Sequence, residues 1–438
     1  MTRHQVDPRL LDDSELTRHL LAARGTQWMR GNRGDPYALI LRAQGIDPHA
    51  LYRGMRGRPA LRQSESDTWV TASYTAGAEV LEDERLTLRD PKARRRRKVF
   101  GIDAGSSLKH VLQLDDDVLA RPPAFYAELS AAVAPVLGSA ALERHRGAVD
   151  GVFERTLGSL GGSFDLMEDF ARPGTVAAVA ELLGLSEAER AEVAGLCPGA
   201  GTALDALLCP PTLGMTRRLV ESFDGLRKVV DTLVAARSAA PGDDPVSRLL
   251  REAPDPGGAA ADATVALMLT LVVGVETTAN LVCDAVLALL ADPGQLALVR
   301  EDPGLVAGAV EETLRFQPPV RLESRIVSEE VQIAGQRLDK GHQVVVLVDA
   351  AGRDPEVYPE PERFLVDRAP GVPPLSLHGR SPAGFTAPVV RFVAGAALGR
   401  LVADRVGTLG LAGDVVRRMR SPVVQGVARC PVAATQAG

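Results

Sequence analysis

From Ala260 to Ala291 the sequence places apolar residues at mixed spacings of three and four, which predicts a long buried or amphipathic helix. Inside it stands Gly274-Val275-Glu276-Thr277-Thr278, an acid and two threonines in apolar surroundings. Alone this says little, because helical threonines often only bond back to a carbonyl one turn earlier. Two later segments narrow the field. Glu312-Thr313-Leu314-Arg315 puts an acid and an arginine three residues apart, on one helical face, where they form a charge pair. Phe316-Gln317-Pro318-Pro319-Val320 then stops that helix. Further on, Gly352-Arg353-Asp354-Pro355 leads to Pro361-Glu362-Arg363-Phe364.

The remaining pattern is mostly helical. Apolar periodicity predicts helices over Pro123 to Leu137, Pro173 to Leu183, Met215 to Ala236 and Asp302 to Phe316. Pro and Gly cluster at 241–245 and 254–258 in loops, with helical pattern resuming on both sides. Strands are few: Thr68 to Thr71, followed by a helix over Tyr74 to Leu81, then Val331 to Ala334 and Val344 to Val348. The fold class is mainly α with a small β-sheet, placed early and again after residue 320.

Composition excludes several function classes. With 45% hydrophobic and 24% charged residues the chain reads as globular, and a net charge of −6 gives no general case for nucleic acid or anionic membrane. Lys92, Arg94, Arg95, Arg96, Arg97 and Lys98 are a local exception, read as a solvated loop or as an anion patch for an acidic partner. The acidic N-terminus has no apolar core of a signal peptide. Val265 to Val275, closed by Glu276, is too short to span a bilayer. Cys197, Cys209, Cys283 and Cys430 are scattered, which suits reduced thiols in a cytoplasm and no zinc site. No GxSxG, Walker loop, HExxH or dinucleotide fingerprint is present.

Taken in order, the segments around Gly274, Glu312 and Arg363 resemble the cytochrome P450 family. Gly34-Asp35-Pro36-Tyr37 and Trp69-Val70-Thr71 extend the likeness toward the N-terminus. It runs from about residue 34 to the end, which sets residues 1–33 as an extension, a candidate partner contact, ahead of a single domain over 34–438. The resemblance implies a structural triad of Glu312, Arg315 and Arg363, and a vestigial oxygen-helix motif at Gly274, Glu276, Thr277 and Thr278.

The pattern fails at one place. The family's haem iron is held by a cysteine thiolate just before a helix that here begins near Pro388. Counting back without a gap puts Gly384 at that position, and 377–385 holds no cysteine. Leu114-Asp115-Asp116-Asp117 replaces the family's propionate-binding helix with carboxylates that would repel a propionate. The expectation is therefore a P450 fold without the haem site: no catalytic residues, no metal, no cofactor, haem included. The alternatives are a haem-dependent monooxygenase with an atypical ligand such as His378, or a non-haem enzyme using Glu276 and Thr277 in the vacated pocket. Asp115 to Asp117 read as a solvated helix start before a cation site.

A narrower likeness rests on Trp28-Met29-Arg30-Gly31, Asp47 to Gly54, Glu65 to Val70 and Val416 to Val423. These are similar to the P450-like auxiliary proteins of actinobacterial antibiotic pathways. That resemblance implies a non-catalytic subunit that partners a glycosyltransferase of macrolide or anthracycline biosynthesis, as a homodimer within a larger complex. Trp28 and Tyr37 are the candidate partner-binding residues, since exposed aromatics anchor interfaces.

Overall fold

The computed structural model describes residues 7–43, 47–57, 59–88, 98–99, 102–103, 111–252, 257–369, 371–404 and 409–434. The basic run from Lys92 to Arg97 lies outside them, and Lys98 is described only as part of the two-residue strand Lys98–Val99. The first helix, α1 (Asp13–Asn32), is capped by the Asp12 carboxylate, which accepts from the Glu15 amide at 2.8 Å. Its inward stripe of Leu16, Leu20, Ala23, Gln27 and Gly31 repeats at helical spacing. The Gln27 amide donates to the Leu208 carbonyl at 2.9 Å, which ties α1 to the body of the chain. A second helix, α2 (Pro36–Arg42), starts with proline in its first turn and the Asp35 carboxylate as cap. Asp35 is itself held by the Ser64 hydroxyl at 2.5 Å.

The long central helix is one run in three parts: Ala259–Leu269, a π turn over Thr270–Gly274, and Val275–Ala291. The sequence pattern closes its apolar stretch at Glu276, yet the helix continues through that residue. Two arginines neutralise the carboxylate, so the charge does not end the helix. Length alone therefore no longer excludes a membrane span: Ala259–Ala291 is apolar enough, as is the run Pro123–Gly158. Every residue in the apolar window of Ala259–Ala291 is buried inside the chain, the behaviour of a core helix. The other helices sit where periodicity placed them, at Pro123–Leu137, Arg172–Leu183 and Leu213–Ala239. The predicted Asp302–Phe316 helix divides into a 3₁₀ turn, Pro303–Leu305, and Val306–Phe316, because Asp302 caps the turn first.

The main sheet has five strands in the order Leu61–Gln63, Thr68–Thr71, Gln343–Leu347, Leu322–Val327, Leu86–Thr87. Gln343–Leu347 runs parallel to Thr68–Thr71, with Val345 opposite Val70, and antiparallel to Leu322–Val327. Val331–Ile333 forms its own hairpin with Gln336–Leu338. The turn between them places Ala334 at φ 47° and Gly335 at φ 77°, both in the left-handed region that a two-residue hairpin turn requires. At the other end, Leu409–Leu411, Pro431–Ala434 and Ser163–Asp165 form a three-stranded sheet. The architecture is mainly α with small sheets.

Candidate functional site

The acid and arginine of Val306–Phe316 do meet. Both oxygens of Glu312 accept from Arg315, at 2.7 and 2.8 Å, and both residues are almost fully buried. Arg315 also donates to the carbonyls of Gly352 at 2.7 Å, Pro361 at 2.9 Å and Arg363 at 2.8 Å. The second guanidinium is not the expected one. Arg368 donates to Glu312 at 2.9 and 3.0 Å, while the Arg363 side chain points outward and pairs with Glu360 at 2.6 Å. Only the Arg363 backbone takes part, as an acceptor for Arg315 and Arg368. The reason is local: Glu360 sits three residues before Arg363 and offers it a solvated partner, whereas Arg368 follows a turn that returns to Glu312. The amide of Leu365 donates to Glu312 as well, at 2.9 Å, so this buried carboxylate is fully bonded.

In the central helix the acid–threonine motif is turned to structure. Glu276 accepts from Arg172 at 3.3 Å, from Arg418 at 2.8 Å and from the Asn280 amide at 2.8 Å, with both oxygens engaged. Arg172 bridges further to Glu168. Despite burial, which works the other way, the two glutamates hold the Arg172 guanidinium above its ordinary pKa. Asn280 accepts from the Val427 amide at 2.7 Å, so one helical turn fastens the C-terminal loop. Thr278 bonds back to the Gly274 carbonyl at 2.7 Å, and Thr277 is buried beside it. None of Gly274, Glu276, Thr277 or Thr278 lines the principal cavity.

Gly384 lies in the short helix Pro382–Phe385, whose cap is the Ser381 hydroxyl accepting from the Gly384 amide at 3.0 Å. A β-carbon at Gly384 would fall on the His378 carbonyl oxygen, 2.7 Å from its carbon and 2.9 Å from that of Gly379. No side chain fits at this position without moving backbone. A β-carbon at Gly274 would stand 3.6 Å from Thr386, so the central helix rests directly on this segment. The His378 ring has Nε2 at 3.7 Å from Glu82, and its other nitrogen is buried without a partner among the described residues.

The principal cavity, about 70 Å³, lies beside Pro382 and Ala383. Its walls are largely leucine, among them Leu112, Leu119, Leu208 and Leu322, and its polar groups include the carboxylates Asp115, Asp116 and Glu323. Glu323 is paired with the fully buried Arg325 at 2.8 Å. Asp115 caps the helix Asp116–Leu119 and accepts from Arg227 at 2.9 Å, the role expected of a helix start. Burial raises its pKa against the pull of Arg227. Sequence reasoning missed Arg172, Asn280, Arg368 and the Glu323–Arg325 pair; only the last carries a local signal, alternate charges within one strand.

Of the two aromatics expected to face a partner, Trp28 is 37% exposed, with the Arg42 guanidinium 3.4 Å from its ring centre. Tyr37 is buried completely and its hydroxyl has no hydrogen-bond partner, so it belongs to the core and cannot anchor a partner. Proline at 36 and the Asp35 cap fix α2 so that Tyr37 faces inward.

Known proteins share this fold. The family model described as Cytochrome P450 matches residues 259–368. The Cytochrome P450 family protein EryCII of Saccharopolyspora erythraea is 34% identical, over 96% of this chain and 98% of that protein. The chain belongs to the cytochrome P450 family. Protein AknT of Streptomyces galilaeus is 44% identical over 96% of each chain. Among solved structures, that of CalO2 superposes with a TM-score of 0.74 at 26% identity, covering 90% of this chain and 97% of that one. The resemblance read from the sequence, to P450-like auxiliary proteins of antibiotic pathways, is borne out by these relatives.

Family membership overturns one expectation. The sequence reading set the cofactor as none, with haem excluded; cytochrome P450 proteins normally bind haem, and further relatives are named as a P450 monooxygenase and a hydroxylase. That exclusion rested on the missing cysteine at Gly384 and on the carboxylates Asp115 to Asp117 on the propionate side, and neither outweighs the haem binding normal to the family. Tested against this P450 chain, a thiolate does not fit at Gly384, and the described cysteines all lie elsewhere, each buried. The residues present at this position thus fail to supply the family's cysteine ligand.

Proposed function

We propose that this P450-family chain is a non-catalytic cytoplasmic subunit that binds, stabilises and activates a glycosyltransferase, one that transfers a deoxysugar or aminosugar in macrolide- or anthracycline-type antibiotic biosynthesis. The observation that carries the reading is Gly384, where the oxygenase fold has neither a thiolate nor space for one. Around it the scaffold is intact: the Glu312–Arg315–Arg368 network is fully bonded, and Glu276 serves packing. Such a chain retains a rigid scaffold while lacking the family's cysteine thiolate at this position. Likeness to AknT and EryCII over nearly the whole length supports the same view. A protein that binds only the folded, competent transferase raises its population by mass action. The complex would contain two copies of this subunit.

Co-expression with a deoxysugar or aminosugar glycosyltransferase from the same organism tests the proposal. The transferase is expected to become more soluble and more active, and to co-purify. Unchanged yield and activity would sink it. A second reading is favoured by family membership: a haem enzyme with an atypical ligand, for which His378 has one buried ring nitrogen without a partner among the described residues. An absorption spectrum of the purified chain separates the two. Substrate turnover with a Soret band that is lost in His378→Ala would establish the oxygenase reading in place of the auxiliary one.

A further inference from the structure

The outer face of α1 carries apolar side chains that the described residues leave exposed: Leu21 is 60% exposed, Trp28 37% and Met29 57%. Leu21, Arg24 and Trp28 are spaced by three and four, hence on one helical face. Beside them α1 and α2 meet Cys209, Pro210 and Arg420 around a shallow groove. Its floor is Leu41, Cys209 and Pro210; its rim holds Arg24, Arg42 and Arg420, with no carboxylate in the lining. Among the described residues neither Arg24 nor Arg420 has a hydrogen bond or an ion-pair partner. Arg42 stacks on Trp28 and donates to Asn32 at 3.2 Å, but its Nε is buried without a partner. Burial, and then repulsion from Arg24, hold the Arg420 pKa below its ordinary value. Next to Arg420, Met419 is 70% exposed.

Three guanidiniums around one groove repel each other, and a carboxylate-bearing occupant relieves that repulsion with charge-assisted, bidentate hydrogen bonds. This contrasts with the chain as a whole, which is acidic at −6. The flanking Trp, Met and Leu side chains suit a polypeptide, since aromatic residues, Met and Arg are enriched where interfaces are most buried. A small inorganic anion would leave that apolar border wet. We propose that the Arg24–Arg42–Arg420 groove and the outer face of α1 form the docking site for an acidic segment of the partner protein. Its carboxylates meet the three guanidiniums and its apolar side chains cover Leu21, Trp28 and Met29. This rests on the auxiliary-subunit reading above and adds to it the surface used and the charge of the partner.

The test uses the full chain and the glycosyltransferase that the co-expression experiment above employs, with capture measured at low and high salt. Arg24→Glu combined with Arg420→Glu is expected to weaken capture by about tenfold or more, and wild-type capture to fall as salt rises. Arg420→Gly is the companion variant. Arg420 sits at φ 60°, where glycine is at ease, so this change removes the charge without straining the backbone. Its capture is expected to fall with its melting temperature held. If wild type captures the transferase and all variants capture it equally, the groove proposal is overturned while the auxiliary reading stands. Wild type that captures no transferase removes the reading beneath, and the groove assignment with it. Millimolar inorganic phosphate that displaces nothing supports the peptide; phosphate that releases the transferase at that level marks a simple anion site and overturns it.

Discussion

Glu312 shows how far single residues can be read. Its pairing with Arg315 follows from a spacing of three on one helix, and it was legible. The second arginine was not, because Arg363 and Arg368 both follow Pro361 and only the turn between them decides which returns to the carboxylate. Arg368 occupies that place with 15% of its side chain exposed, whereas Arg363 is 59% exposed. Arg368→Ala is therefore expected to cost roughly 3 kcal/mol in denaturant unfolding, the scale for breaking a buried charge network. Arg363→Ala should leave the melting temperature unchanged, since surface pairs contribute little. Equal losses for the two variants would contradict the geometry. At Gly384 the sequence located the position but not its crowding. Gly384→Ala forces a β-carbon onto the His378 carbonyl, so a loss of about 1–3 kcal/mol is expected by the same measurement. A variant as stable as wild type would mean that the loop yields and that a side chain is admissible there.

Among elements, long helices with strong apolar period were legible almost to the residue, as at Pro123–Leu137. Leu322–Val327 was not, because its sequence, Leu-Glu-Ser-Arg-Ile-Val, places an acid and an arginine in a strand whose ends are apolar. Only their mutual pairing lets them be buried, and pairing of that kind leaves no hydrophobic alternation to detect. The joint between the helix Ala203–Leu208 and the C-terminal loop has the same character. Asp205 is buried and accepts from the Ser421 hydroxyl at 2.6 Å and the amides of Val423 and Val424 at 2.8 and 3.1 Å. Burial outweighs those bonds and raises its pKa to about 6. Below the unfolded value, about 3.9, both states hold the proton and this group adds no pH dependence. Between there and about 6 the unfolded chain releases the proton first, so the stability present at low pH is lost as pH rises. Asp205→Asn keeps an acceptor for both amides and cannot ionise. Relative to wild type it should gain about 3 kcal/mol of unfolding free energy between pH 4 and pH 7. A flat difference across that window would show that Asp205 ionises normally in the fold.

For the whole molecule, the question is whether residues 1–33 are an appendage or part of the body. Sequence resemblance starts near residue 34, so the boundary was drawn there. The structure packs α1 against α2 and against Leu213–Ala239, with Leu16, Leu20 and Ala23 buried and Gln27 bonded to Leu208. The long-range part of that packing was invisible in sequence, since Leu208 and the helix Leu213–Ala239 lie some two hundred positions from α1. Each of the two buried leucines is worth about 2 kcal/mol. Their loss, together with exposure of Tyr37 and the unpaired Leu208 carbonyl, removes a large share of the 5–15 kcal/mol that typically holds a domain. Deleting residues 1–33 is thus expected to lower the melting temperature of the entire chain and to reduce its soluble yield. If α1 instead serves only to reach a partner, the truncated chain melts like wild type and loses capture of the transferase alone. Both roles are compatible with one helix, because its inward stripe and its outward Leu21–Arg24–Trp28 face are separate. Substitutions confined to the outward face should accordingly change capture and leave melting alone, which separates the two contributions of α1 within a single set of variants.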